Sequence, residues 1–243
     1  MKGVRARRTA ALIGVPLWLS LRRTRPVSDD WGYDRGTPID RFYFEEFLQE
    51  HRNDVRGDVL DVKDARYATR VGEERLTRVH VLDIDDSNPE ATVIADLAEH
   101  ESLPAEAYDC VLLMQTLQVI RRPEVALANV WRSLKPGGAL LLTVPSVSKL
   151  DVVRDLWRFT PAGIEELVFA TCPSGEPDVC GYGNVLACSA FLNGFAAEEL
   201  RRDDLRRHDP DFPVVVCARV VKPQESKPSS QSQLTHSPPR AAS

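Results

Sequence analysis

Glycine is scarce where a phosphate-binding turn would need it. The chain of 243 residues has 13 glycines, and none falls between Gly57 and Gly72. Yet "VLDVKDARYATRVG" (59–72) has the strand–turn–helix cadence of a nucleotide-binding unit. A turn without closely spaced glycines cannot bring its backbone against a pyrophosphate, which excludes a dinucleotide loop at this position. The lone Gly181-x-Gly183 comes too late in the chain for that role and reads as a turn. Paired cysteines are also missing. Cys110, Cys172, Cys180, Cys188 and Cys217 form no C-x-x-C, and the five histidines are scattered, so the sequence offers no metal site. Thiols inside apolar runs such as "VVVCARV" imply a reducing, cytoplasmic setting.

Long apolar runs are absent as well. Ala10 to Leu21 is about half the roughly 20 residues a span needs, and Gly14 and Pro16 interrupt it. No small-residue cleavage site follows it, since "LSLRRTRP" comes next, so it is not read as a signal peptide. Residues 1–30 are expected to form a basic and apolar arm, capable of weak peripheral contact with anionic lipid but not of crossing a membrane. Positive charge is not in excess either. The net charge is −5, which gives no electrostatic footprint for nucleic acid.

What is present is a core-forming domain, 43% hydrophobic. Residues 31–222 alternate strand and helix signals. Residues 223–243 are rich in Ser, Pro and Gln and are expected to be a disordered tail. "PIDRFYFEEFLQEHR" spaces Phe44, Phe47, Leu48 and His51 as one helical face, with Asp40 near its start. Strands are expected at 58–62, 79–84, 91–97, from about Asp109, and at 139–145. "PEVALANVWRSL" is a helix opened by Pro123 and stopped by Lys135-Pro136-Gly137-Gly138. Thr160-Pro161 caps and opens another. The apolar runs lack alternation, as strands covered on both faces do. The last strand, 212–221, has no helix after it and is placed antiparallel. The expected fold is α/β: a Rossmann-like, doubly wound, mostly parallel seven-stranded sheet with an antiparallel last strand.

In such a sheet, ligands bind at the carboxyl ends of the strands. Those ends carry Asp61 and Asp64, then Asp83, Asp85 and Asp86, then Asp96-Leu97, then Gln115, Thr116 and Gln118. Any one Asp there serves equally as a turn or cap residue. Together they disfavour a phosphate and suit a cationic adenosine cofactor, S-adenosylmethionine, whose ribose hydroxyls donate to an acid after the second strand.

"YDCVLLMQTLQVIRRPEVALANVWRSLKPGGALLLTVPSV" resembles the second half of a class I S-adenosylmethionine-dependent methyltransferase of the type 11-like group. The likeness runs over about 91–147 and extends more loosely from 57 to 221. "WGYDRGTPIDRFYFEEFL" and "DLWRFTPAGIEELV" resemble a bacterial subgroup associated with glycan modification. The resemblance implies methyl transfer to a small-molecule or glycan acceptor, through an oxygen nucleophile. By it, Asp61, Val62, Lys63 and Asp64 face the methionine end of the cofactor, and Asp83 or Asp85 binds the ribose. Asp96 and Leu97 frame the adenine, with Gln115 and Thr116 below the sulfonium. The Gly-x-Gly signature is missing, and Gln118 stands where relatives place a His. Tyr33, Asp34 and Arg35, in a loop expected to close over the cofactor, are candidate substrate contacts together with Trp157 and Arg158. Asp34, Asp40 and His208 are candidate bases, and the sequence singles out none of them. Two rivals remain: a metal-dependent nucleotide-sugar transferase using Asp83-Ile84-Asp85, and a non-catalytic binding or regulatory domain whose cofactor loop has decayed. Nothing in the sequence sets the oligomeric state.

Overall fold

The computed structural model describes residues 23–151 and 154–224. Most of the expected arm (1–22) and of the expected tail (225–243) lies outside the described residues. The chain is tied to the domain from Val27, whose N–H donates to the Asn193 carbonyl at 2.7 Å, a few residues before the expected boundary at 31.

Seven strands form one sheet: β1 (Gly57–Val62), β2 (Leu76–Asp83), β3 (Val93–Ile94), β4 (Tyr108–Met114), β5 (Leu134–Pro145), β6 (Glu176–Tyr182) and β7 (Val215–Val221). Their order is β3-β2-β1-β4-β5-β7-β6. The first five run parallel, and β7 lies antiparallel between β5 and β6. The strand order reverses between β1 and β4, and a crevice opens at the carboxyl ends beside that point.

The helices are α1 (Ile39–Glu50), α2 (Arg66–Gly72), α3 (Pro123–Ser133), α4 (Pro161–Thr171), α5 (Val185–Leu192) and the short α6 (Arg202–Leu205). They cover both faces of the sheet. On one, Tyr43, Phe44, Phe47 and Leu48 of α1 pack against Val59, Cys110, Leu112, Leu141 and Cys217. On the other, Leu127, Val130 and Trp131 of α3 and Ile164 and Val168 of α4 pack against Leu60, Val111, Leu113, Leu140 and Leu142. Successive β4 residues feed opposite cores, which is why the run carries no polar alternation. Truncating Phe44, which is fully buried, would cost roughly 3–5 kcal/mol. Thr160 caps α4 through a bond from the Gly163 N–H at 3.1 Å, with Pro161 at the first helical position.

Three elements differ from expectation. The 91–97 strand shrinks to Val93–Ile94, because it is an edge pairing with β2 alone. Leu134–Gly138 ends the helix but already belongs to β5; Gly137, at φ +80°, lets its N–H reach the Lys222 carbonyl at 2.8 Å. β6 takes in Gly181, read above as part of a turn. It was illegible because an edge strand with alternating exposure has no apolar run to announce it. At the amino ends of the strands, Lys135 bridges Asp58 at 3.0 Å and Asp109 at 2.7 Å. That end is closed by ion pairs, whereas the carboxyl ends carry the open loops.

Candidate functional site

Asp61 sits near the end of β1, 1% exposed, and turns inward. Its carboxylate accepts from the Val62 N–H at 2.9 Å and the Ala68 N–H at 3.0 Å, tying the strand end to the first turn of α2. Burial pushes Asp61 up to about 7, against the opposing pull of those N–H donors. Lys63 follows with φ +74°, the left-handed conformation that a glycine ordinarily supplies. Its side chain is exposed, and its N–H donates to the Leu82 carbonyl at 2.9 Å. The turn therefore keeps a glycine-like backbone without the glycine. Asp64 is held below the usual carboxylate range by Arg66, its ion-pair partner at 2.8 Å.

Asp83 ends β2, 8% exposed. It accepts from the Asp85 N–H at 3.1 Å and from the Asn88 amide at 2.8 Å. Burial alone would raise it. The Asn88 amide, the neighbouring backbone donors and the Lys63 charge together hold it low. The same Asn88 nitrogen donates to the Lys63 carbonyl at 2.8 Å, so one side chain links the β1 turn to the end of β2. Ile84 is 66% exposed. Asp85 is exposed and is lowered by bonds from Ser87. Asp96 folds back to accept from the Ala98 N–H at 2.8 Å. The Leu97 side chain enters the core, and its carbonyl accepts from Asn129 at 3.0 Å.

At the end of β4, Gln115 adopts φ +46°, and its N–H reaches the Thr143 carbonyl at 2.8 Å. The Thr116 hydroxyl donates to the Met114 carbonyl at 2.9 Å. Beside this corner lies a cavity of about 140 Å³, walled by Trp31, Tyr33, Asp40, Arg41, Gln115 and Gln118 and by residues of the 145–158 loop. Asp40, in the first turn of α1, accepts from the Arg41 N–H at 2.8 Å and pairs with its guanidinium at 3.2 Å. Burial raises the Asp40 carboxyl despite that neighbouring charge. Arg41 also donates to the Tyr33 hydroxyl at 2.9 Å.

The wall from 31 to 36 is fastened from two sides. The Trp31 indole N–H donates to the Ser148 hydroxyl at 3.2 Å, and the Lys149 ammonium stands 3.5 Å from the Trp31 ring centroid. Thr37 N–H donates to Glu198 at 2.9 Å, and the Ala197 N–H returns to the Thr37 carbonyl at 2.7 Å. Arg158 pairs with Asp155 at 2.7 Å, closing the far rim.

Of the five substrate candidates, the fold brings Tyr33 and Arg158 to this cavity. It places Asp34, Arg35 and Trp157 elsewhere. Asp34 accepts from Ser28, Arg35 pairs with Glu199, and the Trp157 indole N–H donates to the Ile120 carbonyl at 2.8 Å. Among the candidate bases, Asp40 lines the cavity. His208 packs between Tyr43 and Tyr182 and accepts from the Gly183 N–H at 3.3 Å. The loop expected over the cofactor lines this cavity through Trp31 and Tyr33. Arg41, Asn88, Ser148, Asp151 and Asp155 carried no signal as site residues.

Residues 53–142 match the model of the methyltransferase domain family. The matched stretch, 90 of the 243 residues, runs from β1 into β5, the part of the sheet that carries the open carboxyl ends. The match is to a methyltransferase domain, which supports an activity in methyl transfer. A methyltransferase from Archaeoglobus fulgidus, described as S-adenosylmethionine dependent, superposes with a TM-score of 0.51 at 13% identity, covering 75% of this chain and 94% of the other. One from Mesorhizobium loti gives 0.48 at 16%, over 79% and 100% of the two chains. A Haemonchus contortus phosphoethanolamine N-methyltransferase, solved with S-adenosylmethionine, gives 0.47 at 15%, over 76% and 57%. At such identities the likeness is one of fold. No curated protein sequence matches the chain. Among the described residues no helix is long and apolar enough to cross a membrane, and no cluster of three or more His, Cys, Asp or Glu is placed to hold a metal.

Proposed function

We propose that this methyltransferase acts on a hydroxyl oxygen of a small-molecule or glycan acceptor seated in the cavity between α1, the end of β4 and the 145–158 loop. The observation that carries the reading is Asp40, a carboxyl raised by burial and facing a cavity that also takes in Gln115 at the switch-point crevice.

The residues at the strand ends fit the donor. Asp83 keeps an ionised carboxylate suited to a ribose diol, and Ile84 beside it offers an exposed apolar surface to an adenine face. The left-handed backbone at Lys63 makes the tight turn, with its side chain in solvent rather than in the crevice. Asp61 supports that turn from beneath, both carboxylate oxygens being taken by backbone donors. Asp96 and Leu97 border the adenine end, with Gln115 and Thr116 at the methyl end. Bound there, S-adenosylmethionine supplies a methyl carbon on a sulfonium, so alignment of the nucleophile carries most of the acceleration. Asp40 accepts the proton that the acceptor hydroxyl gives up. Arg41 holds the Asp40 carboxylate in place, and the Trp31–Ser148 contact keeps water from the wall.

The five free thiols suit a reducing setting, and the net charge of −5 offers no electrostatic footprint for a nucleic-acid partner. Calorimetric titration with S-adenosylhomocysteine tests the donor site. Micromolar binding that is lost in Asp83→Ala supports the assignment. Absence of binding at millimolar ligand would sink it and return the domain to the class of non-catalytic binders.

A further inference from the structure

Helix α5 is apolar all round, yet only one side of it is covered among the described residues. Its eight residues, Val185–Leu192, carry no charge. Ala187, Ala190 and Phe191 enter the core. On the other side Val185 is 58% exposed and Leu192 47%. Seven residues apart, they share one face, with Cys188 and Ser189 between them. Phe212, 46% exposed, adjoins that face, and its carbonyl accepts from the Cys188 thiol at 3.3 Å. The Ser189 hydroxyl turns back to the Val185 carbonyl at 2.8 Å. Both polar groups of the stripe are thus taken up within the domain, and the face offers water only apolar surface. A surface helix ordinarily turns a charged or polar face outward, and a helix apolar on every side is ordinarily covered.

The path of the chain supplies the cover. The Val27 and Ser28 N–H groups both donate to the Asn193 carbonyl, at 2.7 and 3.3 Å, one residue beyond Leu192. The apolar run Ala10–Leu21 ends six residues before Val27. Six residues span at most about 20 Å. The stripe from Val185 to Leu192 is only about 10 Å long, so the run reaches all of it. A segment tethered this closely meets the face at an effective concentration in the millimolar range, well above that of a separate partner at micromolar concentration. The five side chains of the patch also fall far short of the roughly 20–30 residues a side that a stable interface between two copies uses. We infer that residues 10–21 dock on the outward face of α5 and so fasten the 27–36 segment, which walls the cavity through Trp31 and Tyr33.

The test reads the Cys188 thiol, which lies in the stripe. In the full-length chain carrying Cys180→Ser, Cys188 is the one remaining thiol that is not buried, since Cys110, Cys172 and Cys217 are. N-ethylmaleimide should modify Cys188 at least tenfold more slowly in this chain than after removal of residues 1–22. Leu17→Asp with Leu19→Asp, in the full-length chain, should give the same acceleration, with one thiol modified per chain as the sign that the core stays closed. From the other side, Val185→Asp with Leu192→Asp should speed tryptic cleavage after Arg22 and Arg23 at least tenfold. Equal modification rates with and without residues 1–22 overturn the inference. Protection of Cys188 that grows with protein concentration also overturns it, because the occupant is then a second copy. Protection that requires phosphatidylglycerol vesicles does the same, because the partner is then a lipid surface.

Discussion

Replacing Lys63 by glycine should stabilise this protein, although it removes a charged surface side chain and adds the most flexible residue. Lys63 is held at φ +74° by its N–H bond to Leu82 and by the Asn88 amide on its carbonyl. A left-handed residue bearing a Cβ costs roughly 1–2 kcal/mol. Glycine escapes that cost but gives back about 0.4–1 kcal/mol through the greater freedom of the unfolded chain. The net expectation is a gain of about 0.5–1 kcal/mol, or a Tm higher by roughly 1–4 °C for a domain of this size. Lys63→Met separates backbone from charge: it keeps the strain, loses the ammonium, and should show no such gain. Both variants should favour S-adenosylmethionine over its neutral product more than the wild type does, because a cation near the sulfonium is gone. An exposed pair of unit charges in water is worth about 1 kcal/mol, so the affinity ratio should move at most about fivefold, and less at high salt. Thermal unfolding and paired calorimetric titrations read out the two arms. If Lys63→Gly melts at or below Lys63→Met, the turn is not strained and the account of this loop fails.

Asp40→Asn should lower turnover by 10²–10⁴-fold with the S-adenosylhomocysteine affinity unchanged. The wild-type rate should rise with pH through a pKa above the usual carboxylate range, because burial raises Asp40; a variant that kept this limb would exclude Asp40 as the base. Asp61 makes a different pH prediction. A carboxyl raised to about 7 from 3.8 holds its proton more tightly when folded. Its contribution is therefore full below about pH 4 and is lost as pH climbs through 7, by at most roughly 4 kcal/mol at 1.36 per pH unit. Asp61→Asn should flatten that decline in urea midpoints measured from pH 5 to 8, and an unchanged slope would refute the shift. Gly194→Ala strains a position at φ +74° and drives a Cβ into the Ser28 carbonyl, forcing residues 27–29 off the domain. A loss of roughly 1–3 kcal/mol is expected, with acceptor turnover falling while S-adenosylhomocysteine binding persists. Loss of both together would mean that the 27–36 segment does not act on the acceptor side alone.

The sheet was legible because its evidence is local. Continuous apolar runs such as 108–114 and 139–145 can only be strands covered on both faces, and the helices between them dictate parallel crossovers. Pro123 and the Thr160-Pro161 pair marked helix starts through backbone chemistry that needs no distant partner. β6 escaped because its pairing with β7 is made across 32 intervening residues (183–214). The loss of the glycines could be read, but not its consequence. Whether Lys63 takes the left-handed form depends on Leu82 and Asn88, which only the packed strands bring to it.

The sequence by itself determined the succession of the five parallel strands, the helices that begin at Ile39, Pro123 and Pro161, and the acids delivered to the strand ends. Only the tertiary structure decided where those acids turn. It turned Asp61 inward to backbone donors, engaged Asp83 through Asn88, and gathered Trp31, Tyr33, Asp40, Gln115, Gln118 and Arg158 around one cavity. The physical reason is that strand periodicity and helix capping act over a few residues, while burial and polar pairing depend on groups that meet only when the chain is closed.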